Sequence, residues 1–173
     1  MQHSLIQGDQ LAERDWQAQR SQVELPVRTY LYRAVDKCGQ TIDFRLSRTR
    51  DVSAAKAFVH KAIRHEGRPP QTITLEGYAA SHRAEREMKN DGQLPGRTRL
   101  RSSKYLNNLI EQDHRGIKSR TGPLLGFKSF SSAAITIAGV ELLRRIHKAQ
   151  FSLSRFRLKD QAAPAFWNAV LAA

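Results

Sequence analysis

The most constraining feature of the sequence is an alternation between short β-type runs and longer helical runs, which continues from Tyr30 to about Lys148. Thr41–Leu46 alternates apolar and polar residues with a period of two, which is typical of a strand with one buried face. Between Asp51 and His65, the apolar residues recur at helical spacing and form one face of a helix. A chain that changes period in this order predicts helices layered against a mixed sheet, so the expected fold class is α/β.

Turn-forming residues separate these predicted elements. Asp36–Gly39 joins two β-type runs as a hairpin, and Gly67 with the following prolines ends the first helix. In chain order, the sequence predicts strands at Tyr30–Val35 and Thr41–Leu46, a helix at 51–65, a strand at Thr72–Leu75, a helix at 78–90, a strand at Thr98–Arg101, and helices at 105–120 and 131–148.

The first 26 residues differ in character from the rest of the chain. They are polar and rich in glutamine, with two basic and four acidic residues. Ala18–Gln22 lacks the β-branched and aromatic residues that favour strands. We therefore expect a flexible or helical arm over residues 1–26, a core over residues 27–150, and a basic and apolar tail over residues 151–173.

The net charge of the chain indicates what kind of molecule it binds. The chain carries 29 Lys and Arg against 16 Asp and Glu, a formal charge of +13. Residues 97–128 alone hold eight basic and two acidic residues. So high a charge on a small chain raises its self-repulsion and is usually tied to a polyanion. Nucleic acid is the first expectation, while an acidic membrane surface and solubility alone are the alternatives.

Several classes of protein are disfavoured by what the sequence lacks. Cys38 is the single cysteine, which excludes a disulfide within the chain and a zinc site built on cysteines. No apolar run approaches the roughly 20 residues that cross a bilayer. The N-terminus lacks the basic flank and apolar stretch of a signal peptide. We expect a cytoplasmic protein without a membrane partner, and whether it forms a homo-oligomer is left open.

Two carboxylates are the candidates for chemistry. Glu76 ends the predicted strand Thr72–Leu75, and Glu111 lies on a later predicted helix. Carboxylates from a strand end and a helix can converge on two Mg²⁺ ions, which activate a hydroxyl for attack on a phosphodiester. The simpler interpretation is that Glu76 is solvated or caps a helix.

The predicted helix around Glu111 presents one charged face. Glu111, His114, Arg115 and Lys118 share this face, because they are three, four and seven residues apart. A carboxylate with cationic neighbours suits a metal ion and a phosphate, although an ordinary salt-bridged surface has the same pattern. The basic residues that we expect to contact DNA are Arg101, Lys104, Arg115, Lys118, Arg120 and Lys128.

Five segments of the sequence resemble the Asp-Asp-Glu transposases of insertion-sequence family six. They are Tyr30–Asp36, Ile73–Ala80, Asn108–Lys118, Gly126–Ser129 and Gln161–Leu171. The resemblance covers about residues 27–173 in order. It implies an RNase H-like core with flanking helices that uses Mg²⁺ and joins transposon ends to target DNA.

The resemblance also implies roles for individual residues. Glu111 matches the family's catalytic Glu, and Lys118 matches a basic residue near the active site. Glu76 stands at the position of the second catalytic Asp, so Glu76 and Glu111 are the expected metal ligands. The first catalytic Asp lies on the strand before Tyr30, and no Asp in the family's pattern is found there.

These departures predict a defective copy. We expect the first core strand to be missing, the sheet edge beside Tyr30 to be open, and the Mg²⁺ site to be impaired. The alternatives are a non-catalytic basic remnant that binds DNA and a chain that folds poorly. Trp16 is expected to be a hydrophobic anchor rather than a base-stacking residue.

Overall fold

A computed structural model of the chain describes residues 15–23, 28–102, 115, 127–148 and 150. These residues separate into two compact units. The first unit contains residues 15–21 and 30–102, and the second contains the C-terminal helix. Each unit is described by itself below.

Five strands form one mixed sheet. They are β1 (Asp15–Val23), β2 (Thr29–Asp36), β3 (Thr41–Ser47), β4 (Thr72–Leu75) and β5 (Arg99–Ser102). Their spatial order is β3-β2-β1-β4-β5, so β1 is the middle strand. The β2–β3 hairpin is antiparallel, whereas β4 runs parallel to both β1 and β5. The α/β prediction with a mixed sheet is confirmed.

The two ends of the first helix are explained by a capping hydrogen bond and by a glycine. Helix α1 (Val52–Glu66) begins after Asp51, whose carboxylate accepts a hydrogen bond from the Ala54 backbone N–H at 2.8 Å. It ends at Gly67, whose φ of 72° is the left-handed conformation that glycine adopts without a Cβ clash. Helix α2 (Ala79–Asn90) follows β4 and contacts α1.

The hydrophobic core of the first unit lies between the sheet and these helices. Tyr32 of β2 packs against Phe58 of α1 with 5.8 Å between ring centroids. Trp16 of β1, Ile73 of β4 and Met88 of α2 belong to the same buried cluster. The expectation that Trp16 is a hydrophobic anchor is therefore confirmed.

Helix α3 (Phe130–His147) is the described element of the second unit. Its N-terminal cap is Ser129, whose hydroxyl accepts a hydrogen bond from the Ser132 backbone N–H at 3.1 Å. Ala133, Ile137 and Val140 are buried, whereas Ile135 is 74% exposed. The helix expected at 131–148 is thus present with its bounds shifted by one residue.

The prediction that the first core strand is missing is wrong. Asp15–Val23 forms β1 between β2 and β4, so the sheet edge beside Tyr30 is covered rather than open. This segment was expected to belong to a flexible or helical arm because Ala18–Gln22 has little β propensity. A middle strand has hydrogen-bonding neighbours on both sides, and this tertiary context outweighs the weak propensity of its side chains.

The other predicted elements of the first unit are confirmed within one or two residues. The hairpin turn contains Asp36, whose carboxylate accepts hydrogen bonds from the backbone N–H groups of Cys38 and Gln40 at 2.8 Å. The helix predicted at 105–120 lies outside the described residues except for Arg115, which is helical. The C-terminal tail over residues 151–173 also lies outside them.

Candidate active site between two central strands

Two polar side chains meet where β1 and β4 run side by side. The parallel register pairs Trp16 with Ile73 and Ala18 with Leu75, so the next residues along each strand, Gln19 and Glu76, are neighbours. The Gln19 Nε2 amide donates a hydrogen bond to Glu76 Oε1 at 2.6 Å. The pair joins residues far apart in sequence, and the strand register alone brings them together.

A pocket beside this pair contains further ionisable groups. Its polar lining residues are Gln19, Arg20, Tyr32, Glu76, Tyr78, Ser81 and Glu85. Burial raises the pKa of the Glu85 carboxyl to about 8, and Lys89 offsets this only in part. Glu85 is 1% exposed, and neither of its carboxyl oxygens has a hydrogen-bond partner among the described residues. Because it is held mostly protonated near neutral pH, Glu85 is a poor anionic ligand.

Tyr32 lines the same pocket from β2. Burial raises the pKa of its phenol to about 12, and the nearby Arg20 cation opposes this rise. The hydroxyl has no hydrogen-bond partner in the described part of the chain. The pocket wall therefore contains two polar groups, on Tyr32 and Glu85, that are both kept uncharged by burial.

Arg20 follows Gln19 on β1 and is held by aromatic rings. Its guanidinium carbon lies 3.9 Å from the ring centroid of Tyr78 and 5.3 Å from that of Tyr30. The Tyr78 hydroxyl donates a hydrogen bond to the Arg50 carbonyl at 2.6 Å, which fixes the ring. Cation–π contacts of this kind hold the positive charge beside the pocket.

The predicted site residues are only partly described by the structure. Glu76 follows β4 as predicted, and it is hydrogen-bonded to Gln19 rather than simply solvated. Arg101 on β5, Arg115 and Lys128 are exposed. Glu111, Lys104, Lys118 and Arg120 lie outside the described residues, so the expected meeting of Glu76 with Glu111 stays a prediction.

Gln19 is the site residue that sequence reasoning missed. Only acidic residues were considered as candidates before Tyr30, and the strand that contains Gln19 was not predicted. One signal was available, since Trp16 is an apolar anchor and a strand that begins there directs residues 17, 19 and 21 to the opposite face. That alternation would have placed a run of polar side chains on one face of a middle strand.

The described part of the site, which does not include Glu111, has no second carboxylate beside Glu76. Among the described residues, no three His, Cys, Asp or Glu side chains gather into a possible metal site. The amide N–H of Gln19 on β1 faces the carboxylate of Glu76, whereas a cation is held by oxygen lone pairs. The arrangement is that of a neutral amide that is hydrogen-bonded to a carboxylate.

With this geometry established, comparison with known proteins gives the family. The profile of the DDE domain of IS240-type transposases matches residues 16–150. The chain therefore belongs to this family of DDE transposases. The match begins at the second residue of β1, which agrees with the presence of that strand in the sheet.

A curated relative supports the same family. The transposase for the insertion sequence-like element IS431mec of Staphylococcus aureus is 37% identical over 120 residues, which are 69% of this chain and 51% of the relative. The chain thus spans about half the length of the curated relatives that it matches.

Solved structures identify the fold as RNase H-like. The catalytic core domain of BIV integrase superimposes with a TM-score of 0.55 at 14% identity, covering 92% of this chain and 95% of that one. The Mos1 transposase catalytic domain, solved with raltegravir and Mn, gives 0.52 at 14% identity, covering 92% and 77%. At such identities the likeness concerns the fold alone. No helix among the described residues is long and apolar enough to cross a membrane.

Proposed function

We propose that this chain is the catalytic-core portion of a DNA transposase that retains DNA binding but has lost strand transfer in this copy. The observation that supports the loss is the hydrogen bond between Gln19, in the middle of β1, and Glu76, directly after β4. The resemblance calls for a catalytic Asp on the strand before Tyr30, and β1 is that strand. Its side chain beside Glu76 is a glutamine, so a neutral amide takes the place of an anionic ligand.

The second departure is at Glu76 itself. A Glu at the position of an Asp adds one methylene and displaces the carboxylate by about 1 Å, which can lower a rate roughly 10²-fold. Mg²⁺ tolerates such displacement poorly, because it requires near-ideal octahedral geometry. Glu111 and Lys118 remain in the proposal as the family's catalytic Glu and its basic neighbour. We infer that the Mg²⁺ site of the family is impaired in this chain.

DNA binding is proposed from charge and exposure. Arg99 and Arg101 alternate with Leu100 on β5, an edge strand, and both arginines are exposed. Arg115 and Lys128 are exposed as well. The proposed partners are transposon ends and target DNA, contacted mainly through phosphates, which implies a cytoplasmic location. Lys104, Lys118 and Arg120 are proposed to contact DNA as well, on the basis of sequence.

A joining assay tests the catalytic part of the proposal. The purified chain is incubated with Mg²⁺ and labelled DNA that carries the ends of its own element, and joined products are resolved on a denaturing gel. We expect no product above a control with chelator. Clear Mg²⁺-dependent joining by the unaltered chain would contradict the proposed loss of activity.

The alternative is a DNA-binding remnant without a latent active site, which the excess of basic residues over 97–128 favours. The variant Gln19→Asp/Glu76→Asp separates the two in the same assay. Joining by this variant shows that the rest of the catalytic machinery is intact. A variant that folds and binds DNA but joins nothing favours the remnant.

A further inference from the structure

The contact between Gln19 and Glu76 determines which way the Gln19 amide is oriented. An ionised carboxylate only accepts hydrogen bonds, whereas a carboxamide has two N–H donors and one acceptor oxygen. At 2.6 Å, two facing oxygens without a proton or cation between them would repel, so the Gln19 nitrogen must face Glu76. Within the part of the chain that the structure describes, the remaining Gln19 oxygen has no hydrogen-bond partner. The amide orientation is therefore determined by Glu76.

We propose that the Gln19 amide donates its hydrogen bond to Glu76 at the place where a divalent cation would otherwise bind, and that a single Gln19→Glu change creates a cation site there. This inference deepens the proposed loss of strand transfer and rests on it for the role of Glu76. It concerns the first unit only.

The distances suit the proposed change. Gln and Glu have the same shape, so Gln19→Glu places a carboxylate oxygen about where the amide nitrogen lies, 2.6 Å from Glu76 Oε1. Adjacent oxygen ligands of Mg²⁺, at about 2.1 Å from the ion in octahedral geometry, are about 3 Å apart. A displacement of a few tenths of an ångström therefore converts the hydrogen-bonded pair into two ligands of one cation.

The strand provides a matched control. Gln17 lies two residues before Gln19 on the same face of β1, and the register pairs it with Thr74 instead of a carboxylate. Gln17→Glu adds the same charge to the same strand without creating a facing pair of carboxylates. A difference between the two variants therefore reports on the pair rather than on the added charge.

The experiment measures thermal unfolding of the full chain without DNA, over a titration of Mn²⁺ and of Mg²⁺. We expect the Tm of Gln19→Glu to fall below that of the unaltered chain without cation and to rise by about 5 to 10 °C at a cation concentration 100 times Kd. The unaltered chain and Gln17→Glu should shift much less. Electron paramagnetic resonance of bound Mn²⁺ should show one additional site in Gln19→Glu alone.

A second variant distinguishes the proposed effect from a simple failure of Gln19→Glu to fold. Gln19→Glu/Glu76→Gln exchanges the two groups, which restores one amide–carboxylate hydrogen bond with the donor on β4. It should regain metal-free stability and lose the Mn²⁺ response. An equal Mn²⁺ response in the unaltered chain and Gln19→Glu would overturn the inference, as would a cation response that the exchange variant keeps. Joining of DNA by the unaltered chain would instead refute the proposed function.

Discussion

At the scale of single residues, the raised pKa of Glu85 predicts how the stability of the fold depends on pH. Its pKa is raised from 4.5 to about 8 by burial, so the folded state binds its proton more tightly than the unfolded state. The resulting stabilisation is fully present below pH 4.5 and is lost as pH rises through about 8. Glu85→Gln should remove this dependence and stabilise the fold at pH 8 by up to a few kcal/mol. Urea unfolding at several pH values measures it.

Glu87, on the same helix, serves as the opposite control. Hydrogen bonds from Lys56 and Arg83 lower the pKa of its carboxyl. Its stabilising contribution is present above pH 4.5 and is lost as pH falls through the lowered pKa. Glu87→Gln should therefore lower stability by a nearly constant amount at all pH values above about 4.5, without flattening the decline between pH 4.5 and 8. If Glu85→Gln leaves that decline intact, the assignment to Glu85 is wrong.

The Tyr32 hydroxyl gives a second prediction at this scale. It is buried without a hydrogen-bond partner in the described part of the chain, and an unsatisfied buried polar group costs about 1–3 kcal/mol. Tyr32→Phe should raise the free energy of unfolding by about 1 kcal/mol. Tyr78→Phe is the control, since it removes a hydrogen bond to Arg50 and should destabilise. A destabilised Tyr32→Phe variant would indicate that the hydroxyl is hydrogen-bonded in solution.

At the scale of elements, β1 is the strand that the sequence did not predict. The hairpin and α1 follow from local signals, namely period-two alternation and a cap at Asp51. In β1, only Trp16 is fully buried, and pairing with β4 contributes more to the formation of this strand than the β propensity of its residues does. Such pairing depends on a strand more than 50 residues away, so no local window contains it. For the same reason, the residue types of Glu76 and Gln19 do not reveal that they touch.

Hydrogen exchange tests this description of β1. Backbone amides of Trp16 to Ala18 should exchange about as slowly as those of β4, because a middle strand opens only with the sheet. The amide of Lys37, an exposed residue of the hairpin turn, serves as the fast reference. If the β1 amides exchange as fast as that turn, the strand is not stably paired and the sheet edge beside Tyr30 is open after all.

At the scale of the whole molecule, the charge of +13 predicts how DNA binding responds to salt. Each phosphate contact contributes about 0.9 to the slope of log affinity against log salt. We expect little sequence preference and a steep loss of affinity between low and moderate salt. Arg99→Ala/Arg101→Ala should reduce the slope by about 2 if both residues contact phosphates.

A charge-matched variant completes that experiment. Lys56→Ala/Arg83→Ala also removes two positive charges, but both side chains form ion pairs with Glu87 on the surface of α2. It should leave the salt slope nearly unchanged. An equal loss of slope in both variants would mean that net charge, rather than the β5 face, governs binding. A flat salt response of the unaltered chain would refute phosphate-dominated binding.

The Gln19–Glu76 pair has a consequence for the history of the gene. A glutamine codon and a glutamate codon differ by one base at the first position, so the facing carboxylates are a single point mutation away. The sheet that positions residue 19 is fully formed, and no insertion or rearrangement has to be reversed. A single base change therefore places a carboxylate opposite Glu76, whereas an aspartate at position 19 requires two base changes.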